Sequence, residues 1–352
     1  TQQVGATNPL GLQTTYTYET IDGVRMLTQI DGAATANCLA TTKSLGYVPN
    51  SGAPLGFVYS RTERNGAITS YARDARGLPL IQTEDVLGAN PRVTSNTWHA
   101  TLRLPLTRTT DGLLKTFTYT TEGLLLTYSQ KDTKVGSPTL NQVRTWTYSY
   151  TTLASGLKVL TSLDGPGVVA NGINDVTTYT YTANGDLATV TDPNGLVTTV
   201  LAHNDQGQPT QVEQPDKYVW TFSYDQMGRM LTSAFNPPGQ TPAPASFGYD
   251  VAGQMTSYTD SLGHVWTFTY NDARRLVKTV APSGDTASFT YDAAGNVTKT
   301  EYSNGTGPVT FWAQTQFDEL SRLLKTIGAQ GQQWAYTHDV EDNLSTETDP
   351  QA

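Results

Sequence analysis

The chain has 352 residues, only 15% of them charged against roughly 25% in ordinary soluble domains, and a net charge of −9. That balance argues against a phosphate-binding or nucleic-acid surface, and the single cysteine, Cys38, excludes an internal disulfide framework and a cysteine-rich zinc site. No run of about 18 apolar residues exists to cross a membrane as a helix, and the opening "TQQVGATNPLG" lacks the basic and apolar regions of a signal peptide.

The abundance of Thr, Tyr, Gly and Ser favours strands and tight turns. In chain order, "NPLG" at 8–11 reads as a turn, and 33–56 reads as an insertion between hairpins. "YARDARGLP" (aligned on Arg73) and "TWHATLRLP" (aligned on His99) fit a loose repeat, and "FTYTTEGLL" fits it well, with Tyr119 and Gly123 in its marked positions. "KDTKVGSPTLNQ" and "SLDGPGVVANGIND", within 131–176, read as long surface loops.

From 179 the pattern is regular. The units are "YTYTANGDL" (Tyr181, Gly185), "LAHNDQGQP" (His203, Gly207), "FSYDQMGRM" (Tyr224, Asp225, Gly228) and "FGYDVAGQM" (Tyr249, Asp250, Gly253). Then come "FTYNDARRL" (Tyr270), "FTYDAAGNV" (Tyr291, Asp292, Gly295), "TQFDELSRL" (Phe317) and "YTHDVEDNL" (His338). The aligned residues lie 22, 21, 25, 21, 21, 26 and 21 apart, so the period is about 21, with loop insertions in the longer units.

A second turn falls midway: "DPNG" at 192–195, "DSLG" at 260–263, "PSG" at 282–284 and "AQG" at 329–331. Each unit is therefore a hairpin plus a link to the next. The Gly four residues after the aligned aromatic suits a positive φ, and a change of turn type is expected where Arg274, Ser321 or Asp342 replaces it. Alternation puts Trp266, Phe268 and Tyr270 on one strand face and Val265, Thr267 and Thr269 on the other. Trp220/Phe222/Tyr224, Trp146/Tyr148/Tyr150 and Trp334/Tyr336/His338 share that parity.

The unit aromatic-x-Tyr-Asp-x-x-Gly-x-(Leu/Val), followed by an Asp-x-x-Gly turn, resembles the YD repeat, also called the RHS repeat. The resemblance covers nearly the whole chain and is specific over 179–348. It implies a relation to bacterial Rhs and wall-associated polymorphic toxins, to the B and C components of insecticidal Tc toxins and to animal teneurins. It also implies an all-β fold, an array of roughly 21-residue hairpins forming one curved, spiralling antiparallel sheet that is a section of a hollow shell. The bacterial shells of that family enclose a C-terminal toxin segment; the teneurin shell serves adhesion. In bacterial members, Asp residues in "D-P-x-G-L" and "R-Y-Y-D" elements support self-cleavage. Here "DPNGL" at 192–196 sits on an ordinary second turn, so Asp192 reads as structural, and "RYYD" is absent. Residues 1–352 are expected to be a single array, looser over 1–178, regular over 179–348 and cut within a repeat at both ends.

The bland reading of the Tyr-Asp pairs outweighs chemistry. Copied at about eight positions, the Asp is expected to cap its turn through nearby backbone N–H groups. The histidines read as packed imidazoles, the Asp/Asn-rich turns lack a calcium-loop pattern, and Cys38 reads as an inert thiol. The expectation is a non-enzymatic shell segment without cofactor or metal. Its partners would be the rest of the parent chain, an enclosed toxin segment and secretion or toxin-complex components, and it would be secreted or displayed at a bacterial surface. Two alternatives stay open. One is a surface- or phage-associated adhesion module whose aromatics stack glycans, decided by the exposure of Trp220, Trp266 and Trp334. The other is a β-propeller built from 42-residue blades of two repeats.

Overall fold

The computed structural model describes residues 1–35, 39–47, 56–167, 175–237, 239, 243–305 and 307–349. Cys38 and parts of the loops read at 33–56 and 162–175 lie outside them. Among the described residues there is no helix, and 29 strands follow one another from β1 (Gln2–Thr7) to β29 (Leu344–Thr348) in one sheet that does not close. The strand registers join chain neighbours in antiparallel fashion. A meander running strand to next strand leaves no place for separate four-stranded blades, so the propeller reading falls.

The insertion read at 33–56 contains a strand, β4 (Thr41–Gly46), paired on one side with β3 (Val24–Gly32) and on the other with β5 (Ser60–Thr62). Likewise 131–176 holds β12 (Val143–Thr152) and β13 (Lys158–Asp164), which pair antiparallel with a register shift between Ser149 and Tyr150. Their connecting turn, Leu153–Leu157, keeps Gly156 in the left-handed fourth position at φ 84° but begins with Leu, whose side chain cannot cap.

The residues cluster into two compact units. One comprises 1–98, 109–111 and 269–352; the other comprises 99–108 and 112–268. In both, burial is shallow. Leu12, Tyr59, Leu78, Val159 and Ala234 are the buried hydrophobic residues among those described, and none of these is fully enclosed. Backbone pairing and same-face stacking therefore supply the cohesion that a deep core supplies elsewhere.

Strand alternation is visible in exposure. In β22 (Val265–Tyr270), β12 and β28 (Gln333–His338) the aromatics are half-buried, and the intervening Val, Thr and Ala residues of β22 and β28 are exposed. The rings line up across strands. Phe117, Tyr128 and Trp146 stack at 5.1 and 5.2 Å, and Phe247, Tyr258 and Trp266 at 5.3 Å each. The registers explain this, because Phe117 faces Tyr128, Tyr128 faces Trp146, and Tyr258 faces both Phe247 and Trp266. Offset ring pairs of this kind contribute about 0.5–1.5 kcal/mol beyond area burial.

Candidate functional surface: two rows of turns

The aligned residues of the regular units, Tyr181, His203, Tyr224, Tyr249, Tyr270, Tyr291, Phe317 and His338, are each the last residue of a strand. Tyr119 also ends its strand, β10 (Leu113–Tyr119). The pairing register slips just before Tyr119, Tyr181, Tyr224, Tyr249 and Tyr291, the mark of a bulge. The turn that follows has one geometry throughout. In the 225–229 turn the Asp225 amide donates to the Arg229 carbonyl at 2.9 Å, and the Gly228 amide donates back to the Asp225 carbonyl at 3.0 Å. The fourth residue must be left-handed, and Gly123, Gly185, Gly228, Gly253 and Gly295 have φ between 80 and 97°.

Three turns correct the sequence reading. Arg274, Ser321 and Asp342 stand in the Gly position with φ of 61, 63 and 69°, and their amides bond the carbonyls of Asn271, Asp318 and Asp339 as Gly would. The turn type does not change; these residues bear the left-handed strain instead.

The unit aligned on His99 is also out by one. Trp98, not His99, ends the strand, and its Nε1 donates to the Pro79 carbonyl at 2.9 Å. His99 takes the Asp place, and its Nδ1 accepts the Thr101 and Leu102 amides. Two further hairpin turns carry an Asp-Gly pair with positive φ at both residues, Asp22-Gly23 and Asp111-Gly112. That dipeptide is a strong hairpin signal and could have located them.

The capping carboxylates act inside their own turns. Asp225 Oδ1 accepts the amides of Met227 and Arg229, Asp250 those of Ala252 and Gln254, and Asp292 that of Asn296. Asp318 is almost fully buried; burial raises its pKa, but bonds from Arg322 and the Leu320 amide bring it below the usual carboxylate range. The Arg229 amide bond foremost, with the Arg229 side chain and the Met227 amide, holds Asp225 low against its desolvation. Asp292 is also lowered, its desolvation outweighed by Asn296 and by the amides of its turn. Depressed values of this kind belong to carboxylates kept ionised by donors, which suits capping and not proton transfer.

These turns form one row, the Tyr row, because hairpin turns alternate between strand ends. The row is stitched from repeat to repeat. The phenol of the aligned Tyr donates to the carbonyl that opens the return strand of the preceding hairpin. Tyr119 reaches Pro105, Tyr224 reaches Pro209 and Tyr249 reaches Met230, each at 2.9 Å, and Tyr291 reaches Leu276. Arg73, standing in a Tyr place, does the same with its guanidinium on the Val58 carbonyl.

The sequence reading missed a second stitch. Where Arg follows the Gly position, its guanidinium spans two turns. Arg229 pairs with Asp225, lies 4.6 Å from the Tyr249 ring centroid and points Nη1 at the Asp250 carbonyl. Arg275 lies 4.8 Å from the Tyr291 centroid and bonds the Asp292 carbonyl, and Arg322 joins Asp318 to the Asp339 carbonyl. The signal was present as Arg in "GRM", "RRL" and "SRL".

The second row, on the opposite strand ends, holds Asp192 and Asp260. Each accepts two amides of its own turn, from Asn194 and Leu196 or from Leu262 and His264. Asp192 therefore sits in an ordinary turn cap. Among the described residues no group of three or more His, Cys, Asp or Glu side chains is placed to hold a metal.

A family model for the teneurin YD-shell matches residues 81–306, well over half the sequence. The chain belongs to the teneurin YD-shell family. An RHS-repeat model matches 317–352 as well. No curated protein matches the chain in sequence. In fold, this YD-shell chain is similar to a crystal structure of TcdB2-TccC3-TEV, at 14% identity and a TM-score of 0.63 over 96% of its residues and 20% of that chain. A crystal structure of TcdB2-TccC3 matches at 14% identity and a TM-score of 0.55, over 98% of this chain and 22% of that one. A Photorhabdus luminescens Tc holotoxin pore matches at 12% identity and a TM-score of 0.51, over 97% and 23%. The chain thus spans about a fifth of the length of these structures.

Proposed function

We propose that the chain is a non-enzymatic wall segment of a YD shell that encloses a polypeptide cargo, a toxin segment C-terminal to the repeats. In this reading 1–352 is a single array of repeats that works with the rest of its parent chain and with secretion or toxin-complex components. It would be secreted or delivered by a bacterium. One observation carries the reading: the YD-shell family match falls on a sheet whose polar side chains are spent on turns and inter-repeat stitches. Such a wall sequesters by excluding, and needs continuous strand pairing more than any reactive group. The similar Tc structures include a TccC3 component, which is consistent with shell and cargo together.

Imaging of the parent particle tests this. A hollow body with density inside, and a C-terminal segment resistant to added protease until the particle is opened, is the expected result. A solid rod, or a C-terminal segment digested at once, would reject it.

A second reading keeps a specific observation in its favour. Trp220, Trp266 and Trp334 are half-buried, so part of each ring stays accessible for stacking on a sugar. Trp220 and Trp266 already spend a ring face on Phe235 and Tyr258, which favours the wall role. A glycan-binding screen with the intact chain decides between them.

A further inference from the structure

Within the unit containing both chain ends, the two rows meet. Tyr-row turns 318–322 and 339–343 sit against second-row turns and loops of the first hairpins. Asn8 Nδ2 donates to the Glu319 carbonyl at 2.5 Å, and Thr35 Oγ1 to the Glu319 carboxylate at 3.0 Å. Arg64 pairs with Asp342 at 2.7 Å, and Asp342 also takes Arg322 at 3.0 Å. The Asn65 amide donates to Glu341 Oε1 at 2.6 Å. Apart from Asp342 and Arg322, these partners are 276 to 311 residues apart in sequence.

We propose that this seam is the opening joint of the unit: it parts while the strand ladders on either side stay paired. Three observations lead there. First, among the described residues no strand pairing spans the seam; the contacts between them run from side chain to side chain or to turn backbone. Second, its ionic bonds are exposed, with Arg64 and Asp342 side chains 33 and 43% accessible, so salt screens them. Third, its apolar part is poorly filled. Leu320, Leu12, Ile30 and the solvent-exposed Leu39 line an open cavity of about 290 Å³ that also carries Thr14, Thr41 and Lys43. Unfilled space forfeits dispersion contacts, and a polar-lined cavity admits water.

The adjoining ladders are built differently. Strand β26 (Val309–Phe317) pairs with β27 (Leu323–Gly328) from Ala313 to Phe317, and those backbone bonds carry no net charge for salt to screen. Separating the seam thus costs less than unzipping a hairpin. Whether the joint releases cargo rests on the shell reading above; the joint itself does not.

Hydrogen–deuterium exchange on the intact chain reads it directly. Raising salt from about 0.05 to about 1 M shortens the screening length from roughly 14 to 3 Å. The Asn65 amide is expected to exchange about tenfold faster as local opening grows, while the β26–β27 ladder amides keep their protection. Arg64→Glu should do the same at low salt, and Arg64→Lys should stay close to wild type. Leu320→Asp should open the seam at any salt. The proposal is overturned if Asn65 exchanges in step with the ladder amides, or if salt leaves it unchanged. The salt arm needs no variant, so a variant that fails to fold leaves the test intact.

Discussion

The Tyr row and the second row use the same turn, yet they hold the sheet differently. In the Tyr row, Gln208 bonds the Gly228 carbonyl, Arg229 the Asp250 carbonyl and Arg275 the Asp292 carbonyl, so each turn is fastened to the next. In the second row, Asp192 and Asp260 hold the amides of their own turns. The comparison teaches that the Tyr-phenol and Arg-over-Tyr stitches belong to one strand end, whereas second-row turns are joined by other bonds, from Arg92 to Asp111, from Thr133 to the Gly112 carbonyl and from the Gly305 amide to Asp285.

Acid should break the comparison most strongly. Asp225, Asp292, Asp318 and Asp339 in the Tyr row and Asp260 in the second row all have folded pKa values below the unfolded one. Their contribution is complete above the unfolded value near 4 and is lost as pH falls through the folded values. The denaturation midpoint is expected to be flat from about pH 5 to 8 and to drop steeply below about pH 4. A midpoint unchanged at pH 3 would mean the caps contribute nothing.

Next comes Asp318→Ala against Asp192→Ala. The first strips a buried carboxylate from Arg322 and from two turn amides, and should cost about 2–4 kcal/mol by urea denaturation. The second loosens an exposed turn and should cost about 1 kcal/mol. Equal losses would erase the distinction between the rows.

Gly185→Ala against Gly195→Ala sharpens the same point with backbone strain held constant. Both glycines are left-handed, a strain of about 1–2 kcal/mol for Ala. A Cβ on Gly185 would also lie 2.6 Å from Leu157 Cδ2, in the preceding hairpin, whereas Gly195 faces open space. Gly185→Ala is therefore expected to be the more destabilising in thermal melts.

Tyr224→Phe removes one inter-repeat bond to the Pro209 carbonyl and should cost about 1 kcal/mol in the same urea titration. The smallest effect is a gain. Lys217, itself exposed, stands in a second-row Gly position at φ 70° and pairs with the half-buried Glu213. Lys217→Gly should raise stability by up to about 1 kcal/mol, strain relief outweighing a screened ion pair and the added chain entropy. A loss there would show that the left-handed strain is already relieved by neighbours.

Much of this was legible in one dimension, for a physical reason. A turn whose bonds close within four residues must carry its Asp and Gly at fixed offsets, so "YDAAG" and "YDVAG" announce both a strand end and a cap. The Phe117–Tyr128–Trp146 stack follows from strand alternation plus register. Legibility failed where the offset chemistry was substituted. Trp98 stands for Tyr, His99 for Asp, and Leu153 for a cap that is missing, so the first of these units aligns one residue out and the second keeps only its Gly.

Contacts between repeats needed three dimensions. Arg229 is an ordinary surface residue on paper; only the spacing of neighbouring hairpins places its guanidinium on Tyr249 and Asp250. Arg64 and Asp342 are 278 residues apart, and no period near 21 relates them. Local hydrogen bonding writes itself into sequence because its partners are a few bonds away. The way one hairpin meets a distant one depends on the summed geometry of every strand between them, and no single residue encodes that sum.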